Sequence, residues 1–387
     1  MPHAAESTDS PLRILHVLRA PVGGLFRHVQ DLTREQIARG HAVGIIADSL
    51  TGGEIAEAQL AALRPHLALG LLRLPIHRLP HPSDVPAAIA INKRIAELRP
   101  DVVHGHGSKG GVHARLSGRF SGAKRPVRVY TPHGGSLNYE PGSLRHRLFM
   151  KIEALLATRT DALLFESAFI ADRFERFVGK PKGFARVVLN GISTAELTPV
   201  ETRTGAADLL YVGELRDAKG VDTLIDAVAL LARRGVTPSV LIVGDGPDRA
   251  LLEARARGAG VGAQIAFGKP CRARDAFALG KAMVVPSRFE SLPYVVLEAA
   301  GARVPLVATN VGGMAEIFGP QADRLIAAHD PARLADALQG LLAETPEARA
   351  RQAQALADRV ASRFSLPRMA DEILDSYYDA LLSRRRP

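Results

Sequence analysis

Two glutamates eight positions apart, Glu290 and Glu298, flank the predicted start of a helix in the segment ESLPYVVLE. Residues 281–285 (KAMVV) predict a short buried strand, Ser291 is a candidate N-cap, and Pro293 suits the first helical position. A helix that begins here directs backbone N–H groups and its positive dipole end towards a phosphate group. With a carboxylate on either side to accept hydrogen bonds from hydroxyls, the pattern indicates a nucleotide-sugar. An amphipathic helix with two solvated carboxylates is equally compatible with these residues.

Further candidate ligands follow other predicted strands. Gly23 and Gly24 open a helix after the strand at 13–18 and let a phosphate or sugar approach the backbone, although an ordinary tight turn fits them equally well. His133 lies in the segment TPHGG, between a proline and two glycines, where it has no apolar face to pack on. This position favours a functional role for His133.

Two cations, Arg216 and Lys219, follow the predicted strand at 208–213. Lys219 is placed at the start of a helix, and two cations at the tip of a strand suit a diphosphate, with a solvated helix start as the alternative. Gly244 belongs to a glycine-rich turn, VGDGP, which lacks the acidic residue that a dinucleotide fingerprint carries about twenty positions later.

Three histidines, His104, His106 and His113, cluster near the third predicted strand without the carboxylate partners of a metal site, and we predict that they contact phosphate or an acceptor. The GxGxxG sequence in the same stretch also lacks the ribose-binding acid. No GxSxG, HExxH or GK[ST] sequence occurs, so the chain gives no support for a serine hydrolase, a zinc protease or a P-loop enzyme.

Composition sets the broad class. The chain has 387 residues, 47% of them hydrophobic, which suits two or three compact α/β domains. Its single cysteine, Cys271, excludes a disulfide framework within the chain, and no apolar run is long enough to span a bilayer. The first residues lack the pattern of a secretion signal, so a cytoplasmic location is expected. A formal charge of +10 implies attraction to polyanions but does not choose among nucleic acid, anionic lipid and a phosphorylated substrate.

Short β-branched runs alternate with helical patterns such as 25–39 and 85–98, and this happens twice along the chain. In the first half, strands are predicted at 13–18, 41–47, 101–105, 127–131, 161–165 and 186–190. In the second half, they are predicted at 208–213, 239–244, 264–268, 282–286 and 304–309. The expected fold class is α/β, with two Rossmann-like, doubly wound parallel-sheet domains that face each other across a cleft.

The polar segment 192–207, which contains proline, threonine and glycine, predicts a linker between the two domains. We expect an N-terminal Rossmann-like domain at 1–195 and a C-terminal Rossmann-like domain at 196–365. The remaining residues, 366–387, predict a helix that packs back towards the N-terminal domain.

Taken together, these motifs resemble those of family 4 glycosyltransferases. The shared motifs are GG after the first strand, HG after the fourth, a Lys–Gly pair in the second half, VGDGP, PSRFES with its two glutamates, and NVGGMAE. The resemblance extends from about residue 13 to residue 380. It implies the GT-B fold and a retaining transfer of a hexosyl group from a nucleotide-sugar, without a metal ion or other cofactor. The N-terminal domain would take the acceptor and the C-terminal domain the donor.

Carried over residue by residue, the resemblance assigns catalytic roles to three residues. Glu290 would contact the transferred sugar, Lys219 would hold the diphosphate, and His133 would lie beside the anomeric centre. Glu298 would accept hydrogen bonds from the donor ribose. The other donor-binding residues that it implies are Gly23, Gly24, Arg216, Gly244, Leu292, Tyr294 and Val295.

The chain departs from the family pattern at two positions. Glu214 stands where many members have arginine, and Arg216 is the candidate replacement. Pro293 has no N–H group where many members have glycine, so the phosphate site has one donor fewer.

Cleavage of a sugar–phosphate bond leaves negative charge on the diphosphate, so fixed cations and a helix N-terminus can stabilise the transition state. No Asp-x-Asp pair occurs in the sequence, and no nucleophile is evident for a covalent intermediate. The resemblance implies front-face attack, in which the departing phosphate accepts the proton of the acceptor.

The predicted partners are a UDP- or GDP-sugar and a lipid-linked glycan used in cell-surface polysaccharide synthesis, and no nucleic acid. Two stretches, 115–128 and 143–151, mix cations with apolar residues and predict peripheral attachment to an anionic bilayer at the inner face of the cell membrane. Ordinary helices with a solvated basic face are equally compatible with both stretches.

Three other functions agree with part of the sequence. A nucleotide-sugar epimerase on the same fold would bind a similar donor without needing an acceptor surface. A dinucleotide-dependent oxidoreductase is disfavoured by the missing ribose-binding acid. A nucleic-acid-binding protein would fit the charge, but the chain has no tryptophan and only 5% aromatic residues for stacking on bases.

Overall fold

The computed structural model describes residues 10–118 and 125–384, which divide into two compact units. The first unit comprises the described residues of Met1–Leu189 and Leu366–Pro387, and the second comprises Asn190–Ser365. The end of the chain therefore belongs to the first unit, although the whole second unit precedes it.

The first unit is built on a parallel sheet of seven strands. These are β1 Arg13–Leu18, β2 Ala42–Asp48, β3 Gly70–Leu74, β4 Val102–His106, β5 Val127–Thr131, β6 Ala162–Phe165 and β7 Phe184–Val187. Their order in the sheet is β3-β2-β1-β4-β5-β6-β7. The helices between them are α1 Gly23–Ala38, α2 Gly53–Leu63, α3 Asp84–Leu98, α4 Gly107–Leu116, α5 Leu144–Ala157 and α6 Ala168–Phe177.

The second unit is built on a parallel sheet of five strands. These are β8 Leu209–Val212, β9 Val240–Val243, β10 Ile265–Gly268, β11 Met283–Val285 and β12 Leu306–Ala308. Their order is β10-β9-β8-β11-β12. The helices are α7 Val221–Arg233, α8 Arg249–Gly258, α9 Ala273–Phe277, α10 Tyr294–Gly301, α11 Met314–Phe318, α12 Pro331–Ala343 and α13 Pro346–Arg363.

A final helix, α14 Leu366–Ser383, completes the first unit. Its apolar face, which includes Met369, Ile373 and Tyr377, packs in one cluster with Ile14 of β1 and Val129 of β5. Within the described ranges, no helix combines the length and the apolar character needed to cross a membrane.

Both central strand sets are buried on two faces, as expected where helices cover a parallel sheet. Strands β1, β4 and β8 are buried along almost their whole length, and the buried residues of β1 and β4 include the histidines His16, His104 and His106 as well as apolar residues. The strand order reverses between β1 and β4 in the first sheet and between β8 and β11 in the second. Ligands bind beyond the carboxyl ends of parallel strands at such reversals, so these two edges position the candidate site residues.

The structure confirms the predicted α/β class with two parallel-sheet units. It adds one strand that the sequence analysis missed, β3, whose sequence GLLRL has no β-branched residue. This strand lies at the edge of the sheet, where all five residues are half-buried, so it lacks the pattern of a buried strand. The segment 192–207, which was predicted as a linker, lies within the second unit. Its Val200 N–H, for example, donates to the Ala302 carbonyl over 3.0 Å.

Candidate functional site

The carboxyl ends of the neighbouring strands β8 and β11 bring Lys219 and Glu290 together. Lys219 ends a short 3₁₀ turn after β8, and Glu290 follows the end of β11 by five residues. Lys219 Nζ donates to Glu290 Oε1 over 2.7 Å, and Ser287 Oγ donates to the same oxygen over 2.7 Å. The Lys219 and Glu290 side chains are 19% and 8% exposed. Two of the predicted catalytic residues therefore meet as an ion pair at the edge where a ligand is expected.

Two glycines allow close backbone contact around this pair. Gly220 has a φ of +64°, and a Cβ added there would lie 2.1 Å from the Pro286 carbonyl oxygen. Gly312, with a φ of +60°, packs in the same way on the Glu290 carbonyl, where a Cβ would lie 2.1 Å from the oxygen. A larger residue at either position would displace the backbone that carries Lys219 or Glu290.

Arg288 fixes the turn that carries Lys219. Its guanidinium donates to the Asp217 carbonyl over 2.8 Å and to Asp222 Oδ2 over 2.5 Å, and it also pairs with the Asp217 carboxylate. The Arg288 side chain is only 8% exposed, so it supports the turn and is not available to a ligand. No role was predicted for Arg288 or Ser287, although both belong to the motif PSRFES.

Helix α10 begins later than predicted. Pro293 has extended backbone angles, φ −74° and ψ 122°, and is the N-cap, so the first helical residue is Tyr294. The Pro293 carbonyl accepts from the N–H groups of Val296 and Leu297 over 3.2 and 3.4 Å. The prediction that Ser291 caps the helix and Pro293 begins it is wrong, because the chain enters the helical conformation only after the proline.

The other predicted donor contacts surround the start of α10. Tyr294 and Val295 are the first two residues of the helix, whereas Leu292 precedes the N-cap. Leu292 and Tyr294 are buried and Val295 is half-buried. Glu298 occupies the fifth helical position and is half-buried. The geometry brings the helix N-terminus and both glutamates into one short segment of the second unit.

Arg216 and Gly244 lie near the tips of β8 and β9. Arg216 is exposed, and its Nε is 2.8 Å from Glu214 Oε2, so a phosphate would compete with this carboxylate for the guanidinium. Gly244 packs on the turn after β8, where a Cβ would lie 1.9 Å from the Gly213 carbonyl oxygen. Its glycine is therefore required by the close approach of two backbone turns.

In the first unit, Gly23 and Gly24 are exposed at the N-terminus of α1. The N-cap residue is Val22, whose side chain cannot cap the helix, and the first turn contains no acidic residue. A Cβ added to Gly23 would have no heavy atom within 4 Å. This helix start is open and carries the polarity that favours an anion.

His133 follows β5 in a strained turn. Its φ is +50°, and Gly134 and Gly135 also have positive φ values of 73° and 47°. A non-glycine residue in this conformation costs on the order of 1 kcal/mol or more, so the surrounding contacts must hold it. Ser108 Oγ accepts from the Ser136 N–H over 2.8 Å and anchors the turn to the start of α4. His133 is half-buried, and its Nε2 is 3.1 Å from His106 Nδ1.

Behind His133 lies a buried cluster of imidazoles. His16 Nδ1 is 3.0 Å from His106 Nε2, while His104 bonds to Tyr377 Oη and Thr131 Oγ1 over 2.7 and 2.8 Å. Burial lowers the pKa of His16 to about 4, against a smaller opposing effect of its hydrogen bond to Gln36. Burial, with repulsion from neighbouring histidines, also holds the pKa values of His104, His106 and His133 well below their usual range. These imidazoles are therefore neutral at pH 7.

This burial corrects one prediction. His104, His106 and His113 are at most 5% exposed, so they do not contact phosphate or an acceptor as predicted. The imidazoles nevertheless form two groups whose ring nitrogens lie within 4.8 Å of one another, a spacing compatible with a metal ion. The groups are His16, His104 and His106, and His28, His106 and His133.

The predicted basic surface at 115–128 is also corrected. Arg115 is fully buried and donates to Glu153 Oε2 over 2.7 Å, and Arg128 is 6% exposed and donates to the Ser117 carbonyl. Neither guanidinium reaches a membrane, because each is buried inside the first unit and donates to a residue of that unit. Outside the described residues lie Arg119 and Lys124.

Helix α5, in contrast, has an exposed face of mixed character. Three of its leucines, Leu144, Leu148 and Leu155, are 83%, 58% and 65% exposed. The cations exposed on the same helix are Arg145, Arg147 and Lys151. The opposite face carries Glu153, which accepts from Ser136 Oγ over 2.9 Å and so connects α5 to the turn after His133.

Comparisons with known proteins agree over most of the chain. The family model described as Glycosyltransferase Family 4 matches residues 22–196, and the one described as Glycosyl transferases group 1 matches residues 206–344. The sequence is similar to glycogen synthase of Mycobacterium tuberculosis, with 29% identity over 95% of this chain and 93% of that protein. The fold is similar to sucrose-phosphate synthase from Thermosynechococcus elongatus, with a TM-score of 0.79, 20% identity and coverage of 96% of this chain and 100% of that one. It is also similar to HepE of Anabaena in complex with UDP-glucose, with a TM-score of 0.75, 18% identity and coverage of 94% and 98%.

Proposed function

The chain belongs to glycosyltransferase family 4 and has the GT-B fold of two Rossmann-like domains, and on this premise we propose that it is a retaining, metal-independent hexosyltransferase. The donor is a UDP- or GDP-sugar and the acceptor is a lipid-linked glycan. UDP-glucose in the HepE complex supports a nucleotide-sugar donor. The expected domain roles are an acceptor-side domain at 1–195 with the helix from 366, and a donor domain at 196–365.

The observation that carries the proposal is the ion pair of Lys219 and Glu290 beside the start of α10. A diphosphate at this helix N-terminus attracts Lys219, whose side chain is 19% exposed and can turn from Glu290 towards the phosphate. Glu290 then accepts a hydrogen bond from a hydroxyl of the transferred sugar. Glu298 accepts from the ribose at the other side of the helix start.

The chemical step follows from where charge develops. As the sugar–phosphate bond breaks, Lys219 and the amides at the start of α10 stabilise negative charge on the departing diphosphate. His133 lies beside the anomeric centre, and the departing phosphate takes the proton of the acceptor hydroxyl. The acceptor attacks the face that the diphosphate leaves, which retains the anomeric configuration.

A donor panel tests this function. UDP-, GDP- and ADP-sugars are compared by thermal shift, since a ligand that binds only the folded state raises its stability. The stabilising donor is then incubated with a membrane-lipid extract in EDTA, and the anomeric configuration of the product is determined by NMR. Transfer with retention in EDTA supports the proposal. An inverted product, or inhibition by EDTA that Mg²⁺ or Mn²⁺ reverses, contradicts it.

The mixed face of α5 supports a lipid-linked acceptor and peripheral attachment at the cytoplasmic face of the membrane. Exposed leucines can enter the interface while neighbouring cations attract anionic headgroups, each contributing about 1 kcal/mol that salt screens. We expect binding to anionic vesicles, release at high salt, and weak binding to neutral vesicles.

Replacement of Arg145, Arg147 and Lys151 by serine should reduce vesicle sedimentation and transfer to the lipid-linked acceptor. The matched control replaces three exposed cations of the second unit, Arg257, Arg333 and Arg351, by serine and should leave both unchanged. Equal sedimentation of the two triple variants would remove α5 from the interface, and no binding to anionic vesicles would favour a soluble glycan acceptor.

A further inference from the structure

A chain of hydrogen bonds runs from the interior of the first unit to His133. Gln36 Oε1 of α1 is 2.8 Å from His16 Nε2, His16 Nδ1 is 3.0 Å from His106 Nε2, and His106 Nδ1 is 3.1 Å from His133 Nε2. Gln36, His16 and His106 are at most 1% exposed. Three hydrogen bonds thus join four residues, which lie on α1, β1, β4 and the turn after β5.

The chain has a direction because every link needs one donor and one acceptor. The Gln36 carbonyl oxygen can only accept, so His16 carries its proton on Nε2. His16 Nδ1 then accepts from the N–H of His106 Nε2, and His106 Nδ1 accepts from the N–H of His133 Nε2. In a neutral imidazole this leaves His133 Nδ1 without a proton. This Nδ1 atom of His133 has no hydrogen-bonding partner among the described residues.

The direction depends on the amide of Gln36, because a flipped amide would reverse every link. Tyr377 of α14 opposes this flip: Gln36 Nε2 donates to Tyr377 Oη over 3.4 Å. With the amide N–H on its oxygen, the Tyr377 hydroxyl directs its own hydrogen to His104 Nδ1, 2.7 Å away. His104 Nε2 in turn donates to Thr131 Oγ1 over 2.8 Å. The last helix of the chain therefore controls the amide at the buried end.

We propose that Gln36 and Tyr377 are positioning residues that hold His133 in the tautomer protonated on Nε2, and so leave its Nδ1 lone pair to accept a hydrogen bond from a hydroxyl of a bound ligand. The identity of that hydroxyl rests on the proposed function, whereas the tautomer does not. The chain does not carry protons to the interior, since it ends at an amide that cannot accept one.

A divalent metal ion is the competing explanation of the imidazole cluster. His104 is disfavoured as a ligand because both of its ring nitrogens have hydrogen-bonding partners. The titratable groups that shift the pKa values of His104, His106 and His133 within the described chain are other histidines, and no carboxylate is among them. A buried dication would therefore lack a compensating charge, which neutral hydrogen-bonded imidazoles do not need.

The first test determines tautomers by ¹⁵N NMR of histidine-labelled protein without any donor. In the wild type, His133 should show a protonated Nε2 and an unprotonated Nδ1. Gln36→Leu and Tyr377→Phe should each give a mixture of tautomers at His133, whereas Gln36→Glu, which keeps an acceptor, should preserve the wild-type pattern. The matched control is Tyr378→Phe on the same helix, which removes a hydroxyl that donates to the Ser10 carbonyl.

Three results would overturn the proposal. These are a proton on His133 Nδ1 in the wild type, an unchanged tautomer in both Gln36→Leu and Tyr377→Phe, or one equivalent of tightly bound metal by elemental analysis. Tyr377→Phe keeps the aromatic ring in the core, so the test does not depend on whether Gln36→Leu folds.

The second test measures transfer. Tyr377→Phe should lower kcat about tenfold, the equivalent of one hydrogen bond, without changing the affinity for free nucleoside diphosphate. Gln36→Glu should retain most of the activity. An unchanged kcat in a Tyr377→Phe protein with mixed tautomers would refute the positioning role. A wild type without transferase activity would refute the proposed function instead, and the NMR result would still decide the tautomer.

Discussion

The two units differ in how many polar and charged residues they bury. Of the 24 polar or charged residues that are buried in the described part of the chain, 20 lie in the first unit and 4 in the second. Those of the first unit include the imidazole cluster and the ion pair of Arg115 and Glu153, whereas the four of the second unit are uncharged. Among the charged site residues of the second unit, Arg216 is exposed, and the Lys219 and Glu290 side chains are 19% and 8% exposed.

This contrast indicates that the candidate residues of the two units differ in kind. Buried neutral groups make directional hydrogen bonds whose geometry is set before a ligand arrives, which suits the orientation of His133. Charges at a rim remain free to exchange partners, which suits the binding and release of a diphosphate. The buried groups of the first unit therefore suit orientation of a ligand, and the charges of the second unit suit neutralisation of a phosphate.

The largest effect is expected at the buried ion pair. Arg115→Met leaves the Glu153 carboxylate buried without its cation and should lower the free energy of unfolding of the first unit by about 3–5 kcal/mol. The matched control is Arg234→Met in the second unit, whose pair with Asp336 is exposed and should cost less than about 1 kcal/mol. Urea unfolding measures the free energy of unfolding of both variants. Equal losses would show that the buried ion pair of the first unit is no more important for stability than the exposed pair of the second.

The next effect concerns the rim of the second unit. Lys219→Ala should lower turnover by about 10²-fold, as expected when a fixed charge at a leaving group is lost. Lys281→Ala is the matched control, because Lys281 pairs with Asp208 at the opposite end of β8 and should keep full activity. Near-normal turnover of a folded Lys219→Ala protein would show that this lysine does not hold the diphosphate.

Stability should depend on pH in the first unit. In the unfolded chain, histidines take up protons as the pH falls through about 6.5, whereas the folded unit keeps His16 neutral to about pH 4. The unfolded state then binds more protons, so the free energy of unfolding is unaffected above pH 6.5 and falls between pH 6.5 and 4. Each such proton contributes about 1.4 kcal/mol per pH unit, and His104, His106 and His133 add to the slope.

Native-state hydrogen exchange, followed peptide by peptide at several pH values, measures this slope in each unit. The second unit has one histidine, the exposed His329, and should show no comparable loss between pH 6.5 and 5. A flat profile in β1 and β4 would mean that the imidazole cluster is protonated in the folded state.

The smallest effect separates the two glutamates of the second unit. Glu298→Ala should weaken the binding of free nucleoside diphosphate about tenfold, because a hydrogen bond to the ribose is lost. Glu290→Gln should leave that binding nearly intact and impair transfer, since its contact is with the sugar. Calorimetry with the nucleoside diphosphate decides between them, and the same loss of affinity in both variants would contradict the assignment.

Much of the fold was predictable because it depends on local pattern. Short β-branched runs predicted β1, β5 and most of the other strands, but the edge strand β3 has neither β-branched residues nor full burial. The conformational freedom of glycine indicated the turn at Gly23, while the exact N-cap at Pro293 depended on how the chain enters α10.

The sequence by itself determined the α/β class, the family, and the residue types at the strand tips, because these follow from periodicity and short motifs. Only the tertiary structure decided which of the charges are available. It buried Arg115 against Glu153, paired Lys219 with Glu290, and brought Tyr377 to Gln36 across 341 positions of sequence. Burial and hydrogen-bond direction depend on packing among elements that are distant in the chain, so no local pattern contains them.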